Sequence, residues 1–203
     1  MAIKPILFNT EMVRAILDGR KTCTRRLLKG PFTVHPNGYI TKPRGNENLC
    51  PYEPPYQPGD ILYVREAFYR DENCILYKAD NEKLTGYRNM SGEDVSVKWR
   101  PSIHMPKEAA RIWLKVTDVR VERLQEMTLK DFKAEGIYDN YKTYSETYTD
   151  HLRQMAYPKV FARLWNSTIK KSDIDRYGWD ANPWVWVIEF ERCEKTGEEE
   201  LCD

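Results

Sequence analysis

Six hydrogen-bonding side chains fall within eight consecutive positions in Gly19-Arg20-Lys21-Thr22-Cys23-Thr24-Arg25-Arg26. Four cations and two hydroxyls in that span suit a local anionic or nucleotide-like ligand. The same run is also the composition of a polar helix exit leading into an edge strand, where Thr favours the pleat and Lys and Arg discourage edge pairing. Residue chemistry leaves both readings open. Glu66 is the second position of interest. It shares strand spacing with Leu62, Val64 and Phe68, so alternation puts a carboxylate among core residues. Such a group is costly unless a cation meets it, and Arg26 or Lys21 is the expected partner. Glu66 then belongs either to a buried structural ion pair or to a ligand cleft.

His104 sits in the loop Ser102-Ile103-His104-Met105, as a structural residue or a substrate contact. His35 and His151 lie in unrelated segments, and no H-x-x-x-H or H-E-x-x-H spacing occurs. Metal hydrolysis therefore has no constellation to rest upon. The five cysteines are odd in number, widely spaced and without a C-x-x-C pair, and read as reduced thiols. Trp99 and Tyr63 suit stacking on a base. Trp113, Trp165, Trp184 and Trp186 fall on periodic faces and read as core.

Positioning these side chains requires a particular order of elements. Lys4 to Phe8 reads as a strand, followed by a helix capped at Asn9 or Thr10, with Met12, Val13, Ile16 and Leu17 at helical spacing and Gly19 at its end. Arg20 to Leu28 alternates as a strand, and Pro31 to Pro58 reads as a long irregular loop. Strands are expected at Ile61 to Tyr69, Cys74 to Ala79, Arg111 to Val121 and Trp184 to Arg192. Thr128 caps a short helix through Asp131 that stops at Gly136. Tyr138 to Tyr148 is polar and Tyr-rich. Leu152 and Met155 have helical spacing, and Pro158 suits the first turn of a further helix with Val160, Phe161, Leu164 and Trp165 inward.

Short strands dominate, which points to an α+β class: a small mixed β-barrel with flanking helices and inserted loops. At 203 residues one domain is expected over 1–203, with insertions near 29–58, 80–100 and 138–183. Hydrophobic residues at 41% and charged residues at 31% exclude wholesale disorder. The longest apolar run, Trp184 to Ile188, is far too short to span a bilayer, and Met-Ala-Ile-Lys-Pro has no signal-peptide pattern. A cytoplasmic protein with no membrane partner is expected. Net charge is +1, yet residues 1–44 carry nine Lys and Arg against Glu11 and Asp18. That asymmetry argues against wholesale wrapping of nucleic acid and permits a local anionic ligand.

Gly-Arg-Lys-Thr-x-Thr-x-Arg at residues 19–26, Pro58-Gly59-Asp60-Ile61-Leu62-Tyr63-Val64-Arg65-Glu66, and Glu135-Gly136 ending a helix after a strand resemble the ASCH domain of the PUA-like superfamily. The resemblance covers Lys4 to Arg26, Pro51 to Phe68, Trp99 to Gly136 and Phe161 to Phe190, and is to the longer ASCH proteins frequent in phages and prophages. It implies a PUA-like barrel with a cleft beside the first helix that binds RNA or nucleotides. Some bacterial members are amidohydrolases that cleave N4-acetylcytidine to cytidine and a carboxylate. Their reacting residues match Lys21, Thr24 and Glu135 here. This chain is about twice as long as those compact enzymes, so its inserts can reshape the cleft.

Amide hydrolysis needs a nucleophile, a route for its proton and a donor for the leaving nitrogen. Thr24 would supply the hydroxyl, Lys21 the base once deprotonated beside Arg20, Arg25 and Arg26, and Glu135 the proton for cytosine N4. In a regular strand Lys21 and Thr24 point to opposite faces, so they converge only if residues 20–22 are still turning out of the helix. The expectation is an N4-acylcytidine amidohydrolase without cofactor, monomeric, with Arg26, Tyr63, Arg65, Glu66, Trp99, Ser102 and His104 contacting a modified cytidine nucleoside or base. The cleft is expected between the Lys21–Thr24 segment and the Glu66 strand. An RNA-binding module or a ribonuclease using the same basic cleft are the alternatives.

Overall fold

The computed structural model describes residues 1–44, 48–72, 74–89, 91–137 and 146–195. In chain order the elements are β1 (Ile3–Leu7), α1 (Thr10–Leu17), β2 (Cys23–Leu27), β3 (Thr33–Val34), β4 (Ile40–Arg44), β5 (Asn48–Pro51), β6 (Ile61–Arg65), β7 (Phe68–Arg70), β8 (Ile75–Tyr77), β9 (Gly86–Arg88), β10 (Asp94–Ser96), β11 (Trp113–Arg123), α2 (Leu129–Ala134), α3 (Glu146–Thr168), α4 (Ile174–Tyr177) and β12 (Trp184–Cys193). The class is mixed α+β. Among the described residues no closed barrel is traced.

Two compact units divide the chain: the described residues of Met1–Gly19, Gly59–Lys115 and Glu191–Asp203 form the first, those of Arg20–Pro58 and Val116–Phe190 the second. In the first, β1 runs parallel to β6 with Ile6 opposite Val64, and the start of β11 pairs antiparallel with β6. Asn9 caps α1 by accepting the Met12 N–H at 2.9 Å, and Val13, Ala15 and Ile16 face inward. Gly19, at φ +72°, turns the chain out of the helix toward Lys21, a conformation that disfavours a side chain. Leu62, Val64, Glu66 and Phe68 are all buried, as their alternation requires. The expected strand over Ile61 to Tyr69 is broken into β6 and β7.

In the second unit β12 lies between β11 and β2, and β2 pairs antiparallel with it, Cys23 opposite Glu189 and Leu27 opposite Val185. Pro31 to Pro58, expected as an irregular loop, instead contains the antiparallel sheet β3-β4-β5. Tyr52 from that segment stacks on Trp186 with centroids 6.0 Å apart, and Phe32 on Tyr52 at 6.3 Å. The 80–100 segment likewise contains a hairpin, β9 with β10.

α3 also corrects an expectation. Pro158 lies inside one continuous helix rather than in the first turn of a new one. The inward stripe is Tyr157, Phe161 and Trp165 at i, i+4 and i+8, whereas Met155 and Val160 are exposed and Leu164 is half-buried. Tyr157 and Phe161 meet the ring of Phe132 edge-on, at 6.2 and 5.7 Å. The helix thus runs through the proline, which forgoes one helical hydrogen bond, while its buried stripe packs on Phe132. It also clamps α2, the helix that carries Glu135 at its end.

Candidate active site

α2 starts at a reciprocal cap. The Asp131 N–H donates to Thr128 Oγ1, and Asp131 Oδ2 accepts from the Thr128 N–H at 2.9 Å. The helix stops at Glu135, and Gly136 at φ +89° lets the chain leave. Residues 20–22 lie outside β2, and they are laced to this helix end. Lys21 and Glu135 form a single antiparallel bridge, the Thr22 N–H donates to the Ala134 carbonyl at 2.9 Å, and the Phe190 N–H donates to the Thr22 carbonyl at 2.9 Å.

This lacing brings Lys21 and Glu135 together. Lys21 Nζ lies 2.5 Å from Glu135 Oε2, 2.7 Å from the Cys23 carbonyl and 3.1 Å from the Glu135 carbonyl. Three N–H donors therefore meet three acceptors, as a charged ammonium requires. Both side chains are almost wholly buried, at 0% and 3% exposure. A carboxylate at a helix C-terminus is electrostatically disfavoured, and the ammonium compensates it.

Arg25 completes the cluster from the same face of β2. Its Nη1 is 3.4 Å from Glu135 Oε1, and its Nη2 is 3.2 Å from Asp131 Oδ1 and 3.3 Å from Glu122 Oε2. Against burial, which opposes it, the charges of Glu135 and Asp131 hold the Arg25 guanidinium above its usual value. Arg120 extends the network to Glu122 and Glu189, each at 2.6 Å. Burial, with Glu135 adding to it, pushes the Cys23 thiol up to about 12, so it is inert as a nucleophile. Among the described residues no group of three or more His, Cys, Asp or Glu is arranged to hold a metal ion.

Thr24 is buried, but strand alternation puts it on the opposite face of β2 from Cys23 and Arg25, and Lys21 has joined that Cys23–Arg25 side. Arg26 shares the Thr24 face, beside Tyr56 and opposite Trp186 in register. The sequence reading named Lys21 and Glu135. It treated Arg25 only as a neighbouring charge and Asp131 only as a helix residue, and it did not name Glu122.

The remaining expected contacts belong to the first unit. Glu66 is met by Arg111 in a two-pronged ion pair, Nε to Oε1 at 2.9 Å and Nη2 to Oε2 at 3.1 Å. This corrects the expectation of Lys21 or Arg26 as its partner. Arg111 also reaches Asp80 at 2.5 Å and lies 4.0 Å above the Tyr77 ring. Arg65 donates through Nη2 to the Ile103 carbonyl, tying it to the turn that carries Ser102 and the exposed His104. Trp99 is half-buried, and Tyr63 leans on Trp113 with centroids 6.0 Å apart.

No protein-family model and no curated protein matches the chain. Among solved structures it is similar to the crystal structure of an ASCH domain from Lactobacillus crispatus, at 13% identity over 94% of this chain and 79% of that one, with a TM-score of 0.37. At that level of superposition no residue role passes from one to the other. The roles below rest on this chain's own geometry.

Proposed function

We propose that this chain is an amidohydrolase that removes the acyl group from N4-acetylcytidine or a related N4-acylated cytosine nucleoside, giving cytidine and a carboxylate. The observation that supports it is the buried Lys21–Glu135 pair at 2.5 Å. Transfer of one proton from Lys21 Nζ to Glu135 Oε2 makes an amine base and a carboxylic acid in one step. The amine then takes a proton from the attacking oxygen as that oxygen bonds the acyl carbon, and the acid gives a proton to N4 as the C–N bond breaks. Because Thr24 lies across the strand, the attacking oxygen in this reading is that of water.

With Lys21 at 2% and Glu135 at 5% exposure, substrate reaches the pair only where a neighbouring segment gives way. The test is incubation with N4-acetylcytidine in the presence of a chelator, following the ultraviolet change on deacylation. Lys21→Arg keeps the charge but cannot serve as a base, so turnover should vanish. Glu135→Gln should lower kcat by about 10²–10⁴. Thr24→Val should keep turnover if water attacks and lose it if Thr24 carries the acyl group. A Lys21→Arg rate close to the parent's would overturn the reading. RNA affinity without turnover in the parent would replace it with a binding module, and release of oligonucleotides with a ribonuclease.

A further inference from the structure

The main-chain groups that β2 leaves unused lie along one edge. The Leu28 N–H donates to the Trp184 carbonyl at 3.1 Å, and the Phe190 N–H to the Thr22 carbonyl at 2.9 Å. In the β2–β12 register the hydrogen-bonded pairs are therefore those of Thr24 with Ile188 and Arg26 with Trp186. The N–H and C=O of Cys23, Arg25 and Leu27 point away from β12. Lys21 Nζ takes the Cys23 carbonyl at 2.7 Å. Among the described residues β12 is the only strand that pairs with β2, and the main chain of Arg25 and Leu27 meets no partner on the far edge.

A pocket of about 440 Å³ follows that edge within the second unit, between β2 and the C-terminal end of α3 with α4. Arg25, Arg26, Leu27 and Lys29 all line it, although alternation sends Arg25 and Leu27 to one face of β2 and Arg26 to the other. Consecutive residues share a pocket in this way where it runs along the edge of the strand. Arg25 agrees: its side chain is 0% exposed and the whole residue 4%, so what it presents is main chain. Strand edges are commonly guarded by proline or by outward charge. β1 carries Pro5, whereas the Arg25 guanidinium is turned to Glu122, Asp131 and Glu135 and leaves its own edge unguarded.

We propose that an extended acidic peptide segment of a partner protein adds to this edge as a further strand. Its amides bond the Arg25 and Leu27 main chain, an apolar side chain rests between Leu27 and Ile169, and its carboxylates meet Lys29 and Lys170. Both lysines are exposed and have no ion-pair partner among the described residues, and Asp173, the carboxylate among the lining residues, accepts from the Ser172 hydroxyl at 3.3 Å. An edge that offers donors and acceptors in turn suits an amide backbone; a phosphate backbone has no N–H and would leave the carbonyls unpaired. The inference is independent of the proposed hydrolysis, since it concerns binding alone.

The probe is a fluorescein-labelled heptapeptide of alternating Glu and Val, titrated with the full chain and followed by fluorescence anisotropy. It should bind with a Kd below about 1 mM, and the same peptide N-methylated at its central residues should bind about tenfold or more weakly, having lost the main-chain donors. Lys29→Glu/Lys170→Glu, at two exposed positions, should leave the circular dichroism unchanged, weaken the Glu peptide by about tenfold and favour its Lys counterpart. Leu27→Pro removes an N–H that β12 does not use, so it should weaken binding with the β2–β12 ladder kept. No binding at millimolar peptide, equal binding of the N-methylated peptide, or indifference to charge reversal overturns the proposal. So does polyuridylate that displaces the peptide at equal charge concentration, which would assign the edge to a polynucleotide, or a dimer in sedimentation that the peptide dissolves, which would assign it to a second copy of this chain.

Discussion

Glu135→Gln tests the buried pair at its strongest contact. Two of the three acceptors around Lys21 Nζ are main-chain carbonyls, of Cys23 and Glu135, and both survive the substitution. What disappears is the charge that neutralises the ammonium. Arg25 loses a 3.4 Å contact but keeps Glu122 and Asp131. Removing one partner of a buried pair costs about 3–5 kcal/mol, and the retained carbonyls place this case at about 3 kcal/mol. For a chain of this size that lowers Tm by roughly 6–12 °C. Lys21→Met leaves Glu135 with Arg25 still beside it and should cost about 2–3 kcal/mol. Because Lys21→Met/Glu135→Gln removes both charges, the single losses should fail to add by about 1–3 kcal/mol. Urea unfolding of the parent and three variants, followed by tryptophan fluorescence, measures this. If the losses add within about 0.5 kcal/mol, the two residues are not coupled and the described site is wrong.

Two further predictions concern pH. Against burial, hydrogen bonds from Thr128 and the charge of Arg25 hold the Asp131 carboxyl below its ordinary 3.8, so its contribution is present above that value and is lost as pH falls beneath it; Asp131→Asn should flatten the acid limb of stability measured by urea unfolding. For Glu66 the sign is opposite: burial outweighs Arg111 and raises its carboxyl above the ordinary 4.5, so stability should decline as pH rises from about 4.5 through the folded value. Glu66→Gln should abolish that decline, and an unchanged pH profile would refute the assignment.

Signals carried within a few residues were legible in the sequence. Asn9, Gly19, and Thr128 with Asp131 mark helix ends by local hydrogen bonding and by φ, and the structure uses each that way. The strand alternation through Glu66 likewise announced a buried carboxylate. Its cation did not show, because Arg111 lies 45 residues away and nothing local ties the two. The β3-β4-β5 sheet was hidden by Pro43 and Pro51, which sit in β4 and β5 but read as breakers. Pro158 misled for a related reason: its local preference was overridden by aromatic packing on Phe132.

The site itself divides along the same line. Lys21 and Glu135 were reached through the motif resemblance, whereas the second oxygen of Asp131 and the side chain of Glu122 matter only because β2, α2 and β11 converge on Arg25. That convergence bears on the choice between chemistries. Lys21, Arg25 and Arg120 face Asp118, Glu122, Asp131, Glu135 and Glu189, so among the described residues this network sets five carboxylates against three cations. A phosphate brought there would meet repulsion, which argues against a polyanion lying on the Lys21 side of β2. A neutral acylated base meets no such barrier, and the proposed hydrolysis asks Lys21 and Glu135, 2.5 Å apart, to pass one proton between them. Of the cations in residues 19–26, Lys21 and Arg25 are therefore spent on carboxylates of the protein itself rather than on an external anion.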